Sequence, residues 1–227
     1  MEVGFIWKNI HSNGKSFKIT SLPPITTPEK RESKVIVPGR NGYITDSDNT
    51  YEGEIKPVTY DYFGEDFDDI KSWLSGNDKV IFSNEPDRYY EARIINKINL
   101  EQVLKSFHSG IVQFDCQPLA HSINEIVRTI TTSGYKFNYN GTAEIKPIFK
   151  VYGQGDITLT INNENVILKG VSSYITLDGE LQDAYKDTVL ENHKMLGDFP
   201  ILKLGENTIN FIGSVTKIDI TYREAFL

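Results

Sequence analysis

Apolar and polar residues alternate with a period of two along most of this chain, the mark of strands with one buried face. In the first half the alternation predicts strands at Gly4–Lys8, Ser16–Thr20, Lys34–Pro38, Ile55–Phe63, Lys79–Phe82, Tyr89–Asn99 and Phe107–Cys116. In the last of these Val112, Phe114 and Cys116 fall on one face and Gln113 and Asp115 on the other, so the strand is half-buried. One segment breaks the pattern. Phe67, Ile70 and Leu74, with Trp73 beside them, are spaced for a helix over residues 65–74, and Gly76 follows as a stop signal. Glu65, Asp66, Asp68 and Asp69 crowd its first turn, where the helix dipole favours negative charge; their spacing matches no EF-hand loop.

After Thr131-Thr132-Ser133-Gly134, which reads as a turn or linker, the texture changes. Short strands are predicted at Tyr135–Tyr139, Ala143–Tyr152, Asp156–Asn162, Asn165–Lys169, Ser173–Leu177, Ala184–Glu191, Asn207–Ile212 and Val215–Arg223. So many short strands in under 100 residues suggest a β-sandwich, with a domain boundary near residue 131. The expected fold class is mainly β, with domains at 1–130 and 131–227.

Composition narrows the function classes. The 227 residues are 39% hydrophobic and 24% charged, ordinary for a globular protein. A net charge of −7 with no basic tail argues against a nucleic-acid binder. One cysteine excludes an internal disulfide framework. No apolar run approaches the length of a membrane helix, and the start, MEVGFIWKNI, lacks the regions of a secretory signal, so no membrane association and cytoplasmic synthesis are expected.

Candidate chemistry is sparse. His11, His108, His121 and His193 show no metal-pair spacing. Cys116 sits on the apolar face of its strand, where a small buried hydrophobe is expected rather than a nucleophile. Gly153-Gln154-Gly155 lacks the third glycine of a phosphate loop and reads as a hairpin turn. Asp178 and Glu180 could form a glycosidase acid pair, but Asp178-Gly179 is first a turn signal. Asn140-Gly141-Thr142 matches a glycosylation sequon without a secretory context. No cofactor, metal or catalytic residue is expected. The tyrosines at 60, 62, 89 and 90 and Trp73 offer aromatic surface suited to cores, sugar rings or subunit contacts.

An ordered set of segments carries a resemblance. Val37-Pro38-Gly39-Arg40-Asn41-Gly42 is followed by Tyr51-Glu52-Gly53, then by the acidic helix ending in Trp73-Leu74-Ser75-Gly76. Phe82-Ser83-Asn84-Glu85-Pro86-Asp87-Arg88-Tyr89-Tyr90 and Phe114-Asp115-Cys116-Gln117-Pro118 come next. In the second half stand Asn140-Gly141-Thr142-Ala143 with Pro147, Ile175-Thr176-Leu177-Asp178, Asp198-Phe199-Pro200, Leu204, and Gly205-Glu206-Asn207-Thr208-Ile209. Together they resemble the siphophage distal tail proteins over nearly the whole chain.

The resemblance implies a β-barrel-like first domain with a helix that builds a ring, followed by a galectin-like β-sandwich. It implies a non-catalytic hub at the tip of a long non-contractile tail, in the virion. The implied partners are further copies of this chain in a ring, typically of six, the tail-tube protein, and the baseplate, tail-tip or tail-associated protein, with a receptor-binding protein as a further candidate. The polar, turn-rich loop from Pro38 to Tyr51 is a candidate contributor to the ring contact, with Arg40, Asn41 and Tyr51 as candidate interface residues. Two other classes stay open: a carbohydrate-binding module for host cell-wall sugars, and a small glycosidase or depolymerase.

Overall fold

A computed structural model describes residues 2–98, 101–104 and 107–227. The chain divides into two compact units, the first running to Ala120 and the second spanning His121–Phe226. In the first unit the strands are β1 (Phe5–Trp7), β2 (Ile10–His11), β3 (Phe17–Ser21), β4 (Lys30–Val35), β5 (Ile44–Tyr51) and β6 (Glu54–Tyr62). The helix α1 (Phe67–Trp73) follows, then β7 (Asn77–Phe82), β8 (Arg88–Ile94), β9 (Glu101–Leu104) and β10 (Phe107–Ser122). A mainly β chain with a helix near 65–75 is what the periodicity implied.

The sheet order is β2-β1-β7-β8-β10-β6-β3, with β9 also paired to β10; among the described residues β4 pairs only with β5. An aromatic core lies on one face of this sheet. Phe5 stacks on Trp73 at 5.5 Å, and Phe114 meets the rings of Phe5 and Trp7, each at 5.3 Å. The two indoles lock the helix to β1: Trp7 Nε1 donates to the Trp73 carbonyl at 2.9 Å, and Trp73 Nε1 donates to the Trp7 carbonyl at 3.1 Å. Both buried indole donors are thereby satisfied. Of the carboxylates at the helix start, one works as the cap and another as an ion-pair partner. Asp66 accepts from the Asp69 amide at 3.0 Å, and Asp69 pairs with Lys15 at 2.7 Å.

Several boundaries in this unit shift from expectation; the strand expected to end at Cys116 runs on to Ser122. The strand expected at Tyr89–Asn99 runs over Arg88–Ile94; its last residue, Asn99, lies outside the described residues. Past Ile94 the Asn96 side chain substitutes for backbone, accepting from the Gln113 amide at 2.8 Å and donating to the Ile111 carbonyl at 2.7 Å. The strand expected at Lys34–Pro38 is β4, four residues earlier. Every residue of β4 is exposed, so it has no apolar face for periodicity to detect.

The second unit contains β11 (Ile126–Ile130), β12 (Tyr135–Tyr139), β13 (Ile148–Ile161), β14 (Glu164–Asp178), β15 (Asp183–Lys186), β16 (Val189–Leu190), β17 (Met195–Leu196) and β18 (Gly205–Tyr222). Its boundary falls about ten residues before the expected 131, because β11 pairs with β18 from Ile126–Tyr222 to Ile130–Ile218. The turn at Thr131–Gly134 therefore joins two strands of one unit, with Gly134 at φ +83°.

The larger difference is strand length. Six of the short strands expected here fuse in pairs into β13, β14 and β18. Gly153-Gln154-Gly155 is not a hairpin turn. It lies inside β13, where the register against β14 slips between Gly155 and Ile157 and the register against β18 slips on both sides of Gly153. Gly155, Gly170 and Gly213 take φ +75°, +59° and +115°, and all three fall where the long strands shift register or bend. Both halves of each strand feed one core. Phe149, Val151, Ile175, Ile218 and Ile220 from one half meet Leu159, Ile161, Val166, Leu168 and Ile209 from the other. Three bent ribbons thus supply both layers of a sandwich.

The tight end of this unit is held by Asn207, a fully buried amide. Its oxygen accepts from Asn162 Nδ2 at 2.6 Å and the Lys203 amide at 2.9 Å, and its nitrogen donates to the Lys203 and Gly205 carbonyls at 2.7 and 3.1 Å. Asn162 and Asn163, at φ +52° and +73°, form the two-residue hairpin turn between β13 and β14.

The bends generate a stability prediction. A Cβ on Gly153 would collide with the Ser214 carbonyl oxygen and Ile157, whereas one on Gly155 would meet nothing within 4 Å. Gly153→Ala is expected to cost about 1–3 kcal/mol through overpacking, and Gly155→Ala about 1 kcal/mol from its positive φ. Thermal denaturation of the two variants should rank them in that order.

Candidate assembly surface

β4 and β5 form an antiparallel ribbon that stands apart from the aromatic core. The pairing runs from Val35–Ile44 and Lys34–Thr45 near the tip to Lys30–Tyr51 at the base, with a register shift between Lys30 and Glu32. Local polar contacts hold the basal half. Arg31 pairs with Glu52 at 2.9 Å, and Ser47 Oγ donates to the Arg31 carbonyl at 3.0 Å. Asp48 accepts from the hydroxyl and amide of Thr50, and these bonds hold its carboxyl below the usual range, with Arg31 adding to the effect against a small opposing desolvation. Asn49, at φ +60°, takes the left-handed conformation beside them.

The tip has the opposite character. Arg40 N–H donates to the Val37 carbonyl at 3.1 Å, closing a turn in which Gly39 and Gly42 take φ +82° and +85°. Around it Val35, Ile36, Val37, Tyr43 and Ile44 are all exposed, Ile36 by 78%. Lys34 Nζ lies 4.8 Å from the centre of the Tyr43 ring. A two-stranded ribbon alone is at best marginally stable in water. Here its apolar residues gather at the end farthest from its attachment, where no core of its own unit covers them. Burying such a side chain contributes roughly 1.5–3 kcal/mol, so covering the tip would stabilise the arm substantially.

The expected loop from Pro38 to Tyr51 is thus mostly the return strand of this arm. Arg40 and Asn41 lie at its tip, and Tyr51 lies at its base opposite Lys30. The length of β5 separates them by about 24 Å, so they do not form one patch. The apolar group at 35–37 and 43–44 is the feature that the sequence reading passed over. The exposed run Val35-Ile36-Val37 beside a glycine turn was the available signal.

The other candidates have structural positions. Asp178 Oδ1 accepts from the Glu180 and Leu181 amides, both at 3.0 Å, so this carboxylate shapes a turn, while Glu180 is exposed. His108 is buried between the rings of Phe67, at 4.9 Å, and Tyr62, at 6.3 Å. His11 Nδ1 accepts from the Asn13 amide at 3.2 Å. Among the described residues no group of three or more His, Cys, Asp or Glu stands together as a metal site. Also among these residues, no helix is long and apolar enough to cross a membrane. Cys116 is buried on the apolar face of β10. Desolvation pushes its thiol up to about 12, against a smaller opposing pull from Lys56.

No protein-family model and no curated protein sequence matches the chain. Solved structures do. The SPP1 Dit (gp 19.1) protein, described as a paradigm of the hub adsorption apparatus of phages that infect Gram-positive bacteria, superposes with a TM-score of 0.81 over 99% of both chains at 15% identity. The chain has the fold of the Dit hub protein. A second likeness, to a chain of the phage P2 baseplate in its activated conformation with Ca, has a TM-score of 0.51 at 12% identity over 94% of this chain and 91% of that one.

Two outcomes follow. In the free chain, trypsin is expected to cut first at Arg31, Lys34 and Arg40, and Ile36→Ser should change the melting temperature little, because the tip contributes no core. At pH 8 a thiol titrating near 12 is ionised in only about one molecule in ten thousand. Cys116 should therefore resist a thiol-specific chromogenic reagent until denaturant is added, and full labelling of native protein within minutes would contradict its burial.

Proposed function

We propose that this chain is a structural hub component of a long-tailed phage, working at the tail tip without catalysis. The full-length likeness to the SPP1 Dit protein carries this reading. In it, copies of the chain close into a ring of six that joins the tail tube to the baseplate or tail-tip protein, and the first unit supplies the ring contacts. A closed ring repeats one heterologous contact, which requires two different surfaces on each subunit. The arm suits the protruding half of such a contact: its apolar tip needs cover, and polar contacts at its base tie its two strands together.

The reading also fits the chemistry. The Asp178 carboxylate is committed to a turn, and the Cys116 thiol is buried and held protonated. We assign neither a catalytic role.

Electron microscopy of tails labelled with antibody against this chain tests the location: label is expected at the end away from the capsid, and label along the shaft would refute the assignment. The double change Arg40→Ala with Tyr51→Ala should weaken ring formation in the presence of tail-tube protein. The two sites lie at opposite ends of the arm, so each single change should have a separate, smaller effect, measured by sedimentation velocity.

A further inference from the structure

The outer face of the second unit's sheet has a groove that the hub reading leaves without a role. Register fixes its architecture. Opposite Lys150 on β13 stand Asp219 on β18 and Thr176 on β14, and Thr176 in turn faces Tyr185 on β15. The row Asp219–Lys150–Thr176–Tyr185 crosses four strands, about 14 Å at normal strand spacing. The next row places Tyr152 opposite Tyr174, and the one on the other side places Ile148 opposite Thr221. The groove over these rows has a volume of about 440 Å³.

Hydrogen-bonding capacity is distributed unevenly along it. Asp219 is tied down, accepting from Lys217 Nζ at 2.6 Å and Thr129 Oγ1 at 2.7 Å, yet each oxygen keeps acceptor capacity. Lys186 donates to the Ser172 carbonyl and the Ser173 hydroxyl. Lys150 differs. Its ammonium lies 4.2 Å from the Tyr174 ring centre and 5.4 Å from that of Tyr152, and no carboxylate among the described residues pairs with it. Tyr185 is half-buried, and among the described residues neither another ring nor a cation covers its ring. The groove therefore offers a three-proton donor, a charged acceptor, a threonine hydroxyl and an open aromatic ring along one line.

We propose that this groove binds a neutral glycan. Hydroxyl oxygens of the sugar accept from Lys150, its hydroxyl hydrogens go to Asp219, and a C–H face of the pyranose packs on Tyr185 beside Ile148. Charge selects against the competitors. A polyanion would meet the carboxylates of Asp219 and Asp187, which line the same groove. An apolar peptide would desolvate the Lys150 ammonium without giving it an acceptor. A neutral sugar satisfies both charges at once.

The test uses the full chain and amide NMR, with lactose, maltotriose and chitotriose titrated separately at millimolar concentration. At least one should give saturable shifts confined to strands β11, β13, β14, β15 and β18. Lys150→Met and Tyr185→Ala should each weaken that affinity roughly tenfold, the scale of one lost charged hydrogen bond or ring contact, at an unchanged melting temperature. Lys150→Met keeps the stem and most of the packing, so it remains informative if Tyr185→Ala unfolds. Absence of saturable shifts with all three sugars would overturn the proposal. So would shifts elsewhere, affinity unchanged in Lys150→Met, or tighter binding of dextran sulfate than of any neutral sugar. The measurement reads the same on a monomer or a ring, so its failure would leave the hub assignment standing.

Discussion

Apolar side chains need a place to be buried, and in this chain two groups find one and a third does not. In the first unit, a ring cluster around Trp7, Trp73, Phe5 and Phe114 is sealed by reciprocal indole-to-carbonyl bonds. In the second, three long strands bend at glycines so that both of their halves feed one core. At the arm tip, Val35 to Val37 with Tyr43 and Ile44 find no core within their own unit. The proposed ring contact depends on this last inequality: a ribbon with its apolar residues exposed at the far end gains stability from any surface that covers them.

Much of the fold was legible from the sequence wherever one face of an element is buried. The strand carrying Val112, Phe114 and Cys116 and the helix carrying Ile70 and Trp73 declared themselves through periodicity, and those five residues are all buried. Legibility failed for two physical reasons. The ribbon strand Lys30–Val35 buries nothing, so its side chains were free of any pattern. Glycines such as Gly155 and Gly213 look the same in a sequence whether they end a strand or bend it, and here they bend it. Asn207 shows a related limit. It resembles a turn residue, but its full burial and four hydrogen bonds emerge only when the Asn162 hairpin is brought against it.

Neither candidate surface shows its chemistry in the sequence. The candidate segment around Arg40 is the tip of an arm rather than a polar loop, its exposed apolar residues are its distinctive feature, and Tyr51 lies far from Arg40. In the second unit the rows joining Asp219, Lys150, Thr176 and Tyr185 draw on four strands distant in sequence. Only strand register assembles them. The two surfaces divide the work proposed for a hub: an apolar protrusion for its own kind and a polar groove for a soluble ligand.

The central claim is that the arm tip makes the ring. Its most direct test is the mass, by sedimentation velocity with tail-tube protein present, of the wild-type chain and of one in which residues 36–43 are replaced by a two-residue Asn-Gly turn. The account predicts a closed multiple of the chain for the wild type and a folded monomer for the shortened arm, with the same melting temperature. Rings of equal mass and stability from both proteins would contradict it.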